Sequence, residues 1–275
     1  MLSIVIPSRN EPYLSQTVDD IRAHAKGDIQ LVIVLDGYWP DPIPCNDPRI
    51  TLIHFETAHG MRAAINAGVV LSRGDFVLKC DAHCMFDDGF DTKLAASCEP
   101  NWVVVPRRKR LDVVKWALED VGKPDVDYMY LSPELHGVNW DAKNRDRKLR
   151  KVVIDDLMSA QGSCWFMHRA YYDTLELLDE EQYGSFWSEF QEIGLKAWLS
   201  GGRVVVNKNT WYAHWHKRAR GYSLNESEST KAGDYVKKWL TMGEAWHKQT
   251  LPIEWLVEKF APVPGWPNGH STVTS

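Results

Sequence analysis

Residues 78–86 read LKCDAHCMF, and their reading decides the fold. Residues 75–81, DFVLKCD, follow a turn signal at Gly74-Asp75 and form an apolar, β-prone run, which predicts a buried strand ending near Cys80. In an extended chain residues two apart point the same way. Asp81 and His83 therefore share one face, and Cys80, Ala82 and Cys84 share the other. A zinc site built from both cysteines and His83 would need ligands from opposite faces, and no second cysteine pair completes a set of four. The cysteines are read as small core residues. Asp81 and His83 are read as one oxygen and one nitrogen ligand for a divalent metal, with a polar surface turn as the plain alternative.

Working outward, apolar strand-like runs at 2–7, 29–37, 49–55, 75–81 and 101–106 alternate with helical patterns at 13–25, 60–74 and 89–98. Continuous apolar strands alternating with helices predict an α/β fold with a mostly parallel central sheet and helices on both faces. In such sheets ligands bind at the carboxyl ends of strands. Asp36, Asp81 and the SRNE turn at 8–11 all fall there. The fingerprints GxGxxG, GxxxxGK[ST] and GxSxG are missing from their expected places, which argues against a classical dinucleotide site, a phosphate loop of that type and a nucleophile elbow. Residues 107–151 read as a long excursion from the sheet, with basic clusters at 107–112 and 143–151. Long loops of this kind in compact domains are mostly functional or disordered. Order returns with a strand at 163–169, a helix at 188–202 closed by Gly201-Gly202, strands at 203–207 and 210–215, and helical patterns at 234–242 and 253–260. Residues 262–275 read as a loose end, and no internal repeat is present.

The bulk numbers are those of a soluble globular protein: 275 residues, 44% apolar, 25% charged, net charge −5. The chain as a whole is not a generic polyanion binder. Five scattered cysteines fit a reducing compartment better than a disulfide framework. Neither a signal peptide nor a run of roughly 20 apolar residues is visible, so the expected location is cytoplasmic, in a bacterial or phage-infected cell. Most of the 13 tryptophans are expected in the core, and a surplus also suits stacking on sugars or bases.

Taken in order, the motifs resemble the GT-A fold, family 2-like nucleotide-sugar glycosyltransferases, and most nearly the pattern of the polypeptide N-acetylgalactosaminyltransferases. SIVIPSRNE (3–11) looks like the opening strand and turn that cradle uridine. VIVLDG (32–37) looks like the second strand with its nucleoside-reading acid. Residues 59–84 look like the helix, strand and metal motif, and QGSCWFMHR (161–169) like the strand laid against the donor sugar. FWSEFQEIGLKAWLSGG (186–202) looks like the helix bearing the catalytic carboxylate. Eleven residues separate Gly202 from His214, which matches the position of the third metal ligand. The resemblance implies a UDP-sugar donor and Mn2+ (or Mg2+) held by Asp81, His83 and His214. It implies donor contacts from Pro7, Ser8, Arg9, Glu11, Asp36, Arg62, Gly162, Trp187 and Lys217, the last together with Arg218, and places Glu189 at the donor sugar and acceptor. Mixed oxygen and nitrogen ligands suit manganese better than magnesium. Glu192 has a plain explanation as the i, i+4 partner of Lys196. Trp187 and Trp211 are candidates for stacking on sugar faces.

Relatives of that pattern carry a membrane anchor and a lectin-like domain that this sequence lacks, so the acceptor stays open. Arg107, Arg108, Lys109 and Arg110 are the expected acceptor-binding residues. They favour a hydroxymethylated base in DNA, such as 5-hydroxymethylcytosine, flipped from the stack as a phage-type modifying enzyme would require. Protein Ser/Thr, a saccharide or a lipid are the other acceptors. A non-catalytic sugar-nucleotide or nucleic-acid binding module and a nucleotide-sugar hydrolase are the competing classes. The expected division is a catalytic unit at 1–218 and a C-terminal helical extension at 219–275, with retention or inversion left open.

Overall fold

The structure is a computed structural model that describes residues 1–44, 46–217 and 221–267. The chain opens with strand β1 (Leu2–Ser8), helix α1 (Leu14–His24), β2 (Ile29–Asp36), β3 (Ile50–Phe55), α2 (Met61–Val70), β4 (Phe76–Cys80), β5 (Cys84–Phe86) and α3 (Phe90–Ala95). All but β5 are elements the apolar periodicity predicts. β2 is buried along its whole length, as a strand covered on both faces must be. α1 contributes Leu14, Val18 and Ile21 to the core. Gly68 lets α2 lie close on the sheet, because a Cβ there would stand 2.4 Å from Val5 Cγ1.

The rest of the chain runs β6 (Trp102–Asp112), β7 (Ala117–Leu118), β8 (Met129–Leu131), β9 (Gly137–Asn139), α4 (Asp141–Arg145), β10 (Ile154–Asp156), β11 (Cys164–His168), α5 (Arg169–Thr174), α6 (Glu180–Tyr183), α7 (Glu189–Leu199), β12 (Arg203–His214), α8 (Glu226–Lys237) and α9 (Ile253–Phe260). The sheet order is β10-β12-β6-β11-β4-β1-β2-β3. The block β4-β1-β2-β3 is parallel, and so is the pair β6-β12. β11 runs antiparallel between the two and joins them. The sheet is therefore mixed, with its parallel parts where the sequence puts them.

Several boundaries differ from the sequence reading. The helix expected at 60–74 ends at Val70, and the helical pattern expected at 234–242 is α8, which starts at Glu226 and ends at Lys237. The strand expected at 101–106 continues to Asp112, so the first basic cluster is sheet rather than excursion. Its charges are compatible with a strand because they find partners: Arg107 makes a two-bonded contact to Asp127 at 2.8 and 2.7 Å, and Lys109 lies over the Trp211 ring at 4.6 Å. The strands expected at 203–207 and 210–215 are a single strand, β12, with an irregularity between Asn207 and Trp211. The loose end docks at its start, where Val263 is buried and Trp266 Nε1 donates to Leu131 O at 2.8 Å; residues 268–275 lie outside the described residues. The C-terminal extension is helical, and its Trp239, Leu256 and Phe260 belong to the same core as the sheet.

A buried ion cluster ties α2 to α7. Arg62, fully buried, donates to Trp187 O from Nε at 3.2 Å and Nη2 at 2.6 Å, and pairs through Nη1 with Glu192. Lys196 Nζ reaches Glu192 Oε1 at 2.7 Å and Glu176 O at 2.6 Å. Burial works to raise the Glu192 pKa, but Arg62 and Lys196 prevail and hold it below the ordinary carboxylate value. Removing one partner from such a cluster leaves uncompensated buried charge, at a cost of about 3–5 kcal/mol. Glu192→Gln should lower unfolding stability in urea by that order. Because the folded pKa of Glu192 is depressed, its contribution is present above the unfolded pKa near 4.5 and is lost as pH falls through the folded value. Glu192→Gln should therefore also flatten the acid limb of the stability–pH curve; an unchanged limb would argue against the ion cluster.

Candidate active site

A cavity of about 750 Å³ opens at the carboxyl ends of β1, β2 and β4, where an α/β sheet presents its loops. Pro7, Ser8, Arg9, Glu11, Asp36, Asp81, His83, Gly162, Trp187, Glu189 and His214 all line it. Asp36 ends β2 and is closed over by the entry to α2: its carboxylate accepts from His59 N at 2.6 Å and Gly60 N at 3.0 Å. Gly60 adopts φ 103°, and a Cβ there would press to 2.4 Å from Ser185 Cβ, so this turn requires glycine. Ser8 Oγ bonds the Tyr38 hydroxyl, and Arg9 lies over the Tyr222 ring at 4.4 Å.

The middle of the cavity is the convergence that LKCDAHCMF predicts. Cys80, Ala82 and Cys84 are buried on one side of the chain. On the other, His83 Nε2 and His214 Nε2 are 3.0 Å apart, and His214 Nε2 lies 3.1 Å from Asp81 Oδ2. One ligand atom from each of the three residues lies within 4.8 Å of the others. Glu11 stands behind His83, with Oε2 at 3.0 Å from Nδ1. A carboxylate there makes Nδ1 the donor and turns the Nε2 lone pair toward the cluster, which is how metal-binding histidines are oriented. Two imidazole nitrogens and a carboxylate oxygen gathered this closely fit a divalent cation. His214 agrees, since burial lowers its pKa to about 4, with the nearby His83 and His216 adding to the shift and Asp81 opposing it. The ring is thus neutral and a competent ligand at neutral pH.

Lys79 was not singled out in the sequence, yet it organises the site. Its ammonium is buried at the end of β4 and donates to Asp81 Oδ1 at 2.7 Å, Gly162 O at 2.8 Å and Glu189 Oε2 at 3.3 Å. A lysine inside an apolar strand, between Leu78 and Cys80, was the available signal. Burial opposes the charge, but Asp81 and Glu189 outweigh it and keep the ammonium protonated. Burial also works to raise the Asp81 pKa; Lys79, His214 and His83 overcome it and hold the carboxyl well below its usual range. Glu189 moves the other way, because burial raises its pKa more than Lys79 lowers it. It is the first residue of α7, accepts from Trp165 Nε1 at 2.7 Å, and packs against Gly162, where a Cβ would fall 2.3 Å from Oε2. Two carboxylates on one ammonium, with pKa values pushed apart, are an arrangement suited to dividing roles between them.

Several expected contacts fall elsewhere. Arg62 lies outside the cavity wall, spent on Trp187 O and Glu192, and does not face a ligand. Glu11 lines the wall, but its carboxylate is engaged by His83 and Lys217 and braces both. Trp211 lies under Lys109 and is not part of the wall. Arg107, Lys109 and Arg110 are off the wall as well, whereas Arg108 lines it. The hairpin of β8 and β9 brings Met129, Val138 and Asn139 to the same wall, and Trp215 and His216 join from the end of β12. These excursion residues carried no motif, since their placement depends on the hairpin's packing. Burial, followed by Arg108 and Arg110, lowers the His216 pKa to about 4. Arg218 lies outside the described residues.

Comparison with known proteins agrees with this fold. The crystal structure of GalNAc-T7 with UDP, GalNAc and Mn2+ superposes with a TM-score of 0.75 at 16% identity, covering 95% of this chain and 56% of that one. The S. aureus TarS 1-349 structure in complex with UDP-GlcNAc gives 0.60 at 14% identity, covering 94% and 71%. At these identities the likeness is one of fold, and the chain spans only 56% of the GalNAc-T7 length. A comparison with curated protein sequences gives no match. The family model for glycosyl transferase family 2 matches residues 3–176, more than half of the sequence and every strand from β1 to β11: the chain belongs to glycosyl transferase family 2.

Proposed function

We propose that the protein is a metal-dependent glycosyltransferase that moves a sugar from a UDP-sugar to a hydroxyl acceptor, with residues 1–218 carrying the chemistry. The observation that carries this reading is the convergence of Asp81, His83 and His214 beside a buried Glu189, with Lys79 joining the two halves. GalNAc-T7 was solved with UDP and Mn2+ and TarS with UDP-GlcNAc, which supports the same donor class here. In this reading the corner of Pro7, Ser8, Arg9 and Asp36 receives the nucleoside, and Lys217, released from Glu11, meets the diphosphate. Asp81, His83 and His214 hold Mn2+ or Mg2+, which when bound supplies charge stabilisation to the leaving diphosphate. Trp187 and Gly162 border the donor sugar.

The bond from the anomeric carbon to the diphosphate breaks, a bond to the acceptor oxygen forms, and the acceptor proton needs a base. Glu189 is the candidate for an inverting course, its raised pKa suiting a proton acceptor. In a retaining course it binds sugar hydroxyls instead. Of the four basic residues expected to meet a DNA acceptor, Arg107 is paired with Asp127 and Arg110 Nη1 donates to Pro124 O.

Asp81→Ala and His214→Ala should each lower manganese-dependent UDP binding and UDP release by a hundredfold or so, on the order expected for a lost metal ligand. Full activity in either variant would remove the metal assignment. Glu189→Gln should cut turnover by about 10²–10⁴-fold while UDP affinity stays within a few-fold; unchanged turnover would take Glu189 out of the chemistry. UDP release should depend on an acceptor, and the assay should be run with DNA containing 5-hydroxymethylcytosine, a Ser/Thr peptide mixture, saccharides, and none. Release only with the modified DNA would establish that acceptor, release with peptides or saccharides would replace it, and acceptor-independent release would point to hydrolysis.

A further inference from the structure

Among the described residues two arginines are buried, Arg62 and Arg108. Arg62 has the Glu192 carboxylate. The buried lysines have theirs too, Lys79 in Asp81 and Glu189 and Lys196 in Glu192. Arg107 beside it on the same strand has Asp127. Arg108 has none among the described residues: the residue is 6% exposed, and its guanidinium is held by the Gln161 amide oxygen and by Asn139 Oδ1 at 3.2 Å. Neutral amide oxygens satisfy N–H groups but do not cancel a positive charge, and an unpaired charge out of water is costly unless something compensates it. Arg108 also lines the cavity, with Gln161, Asn139 and His216 around it. Arg110, two residues along β6 and so on the same face, adds a second guanidinium with no carboxylate partner among the described residues; Nη1 donates to Pro124 O at 3.0 Å. Arg110 lies opposite His214 in the strand register and Arg108 opposite Tyr212. Arg108 thus stands one two-residue step, roughly 7 Å, from the level of the metal-ligand histidine, on the wall that the excursion builds.

We propose that Arg108, backed by Arg110, forms an anion subsite in the cavity, separate from the nucleoside corner and the three-ligand cluster, that receives an oxyanion carried by the substrate. The group is a carboxylate, sulfate or phosphate, the planar or tetrahedral oxyanions to which a guanidinium fork donates two bonds. Held in place by Gln161 and Asn139, the fork loses little freedom when the anion arrives, which favours binding. The proposal deepens the glycosyltransferase reading and rests on it for the statement that the anion belongs to a substrate: either the donor's sugar, as in a uronic acid, or the acceptor.

The test uses the full chain saturated with UDP and Mg2+. Sodium sulfate is titrated at constant ionic strength against sodium chloride and followed by tryptophan fluorescence, since Trp187 and Trp215 share the cavity wall. Saturable sulfate binding is expected, weakened at least tenfold by Arg108→Gln and less by Arg108→Lys. Absence of a saturable response in the unmodified protein, or an unchanged response in a folded Arg108→Gln, would overturn the subsite. So would a response that is present in a parallel titration without nucleotide and lost in the UDP-saturated protein, because the anion would then occupy the site of the donor's diphosphate. Should Arg108→Gln fail to fold, the unmodified protein and Arg110→Gln, expected to weaken sulfate several-fold, decide the matter. Repeating the titration with UDP-glucuronate and UDP-glucose locates the source: displacement of sulfate by the glucuronate donor alone puts the anion on the sugar, and persistence with both puts it on the acceptor. If the chain binds no UDP, the donor reading fails by itself, and the same titration without nucleotide still reports on Arg108.

Discussion

A single ammonium group holds the active cavity together. Lys79 reaches it from inside an otherwise apolar strand, and its three bonds go to the loop after β4, the turn before β11 and the first residue of α7. These segments belong to distant parts of the sequence and to strands running in opposite directions. Without the ammonium, two carboxylates would share a buried space with nothing between them, and one would have to take up a proton. With it, Asp81 stays ionised and keeps one oxygen turned to the histidines, while Glu189 is held against Gly162. The glycine is part of the same constraint, because any side chain at 162 would displace the carboxylate.

The parallel part of the fold was legible because its strands are buried on both faces, so that Ile4–Ile6, Leu31–Leu35 and Val77–Leu78 show as unbroken apolar runs. The Asp81–His83 half of the three-residue cluster was legible for a similarly local reason, since alternation puts the two on one face; His214 came only from the family resemblance, which its distance from Gly202 matches. Lys79 was passed over because a charged residue within a strand reads as an edge or an error until its partners are seen, and those partners lie 83 and 110 residues away. Arg62 was misplaced for the opposite reason. An arginine in the first turn of a helix at a strand end has the position of a ligand contact, and only the tertiary pairing with Glu192 shows that it faces inward.

The basic stretch after β6 shows how composition misleads when charge is internally paired. Four cations in a row suggest a surface that attracts phosphate, but in a strand they alternate sides. Arg107 and Lys109 are absorbed by Asp127 and Trp211, and Arg108 is turned into the cavity wall. The excursion therefore contributes to the site through one strand position and one hairpin, rather than as a mobile basic arm. Its sequence lacks periodicity because β8 and β9 have only three residues each and are fixed by packing on the sheet.

The position of His214 also bears on how the protein assembles. It is 131 residues from His83 and 133 from Asp81, and it arrives on β12, which docks on β6 and β5 after β11 has closed the gap between the parallel blocks. Contacts of such long range carry a large loop-closure cost and form late. During synthesis the chain up to Val206 would contain Pro7, Ser8, Arg9 and Asp36 and two of the three clustered residues, Asp81 and His83, while His214 is still to come. Under the proposed metal-dependent reading, affinity for the cation would be tied to completion of the sheet, and a cation present during folding would reward only the finished arrangement.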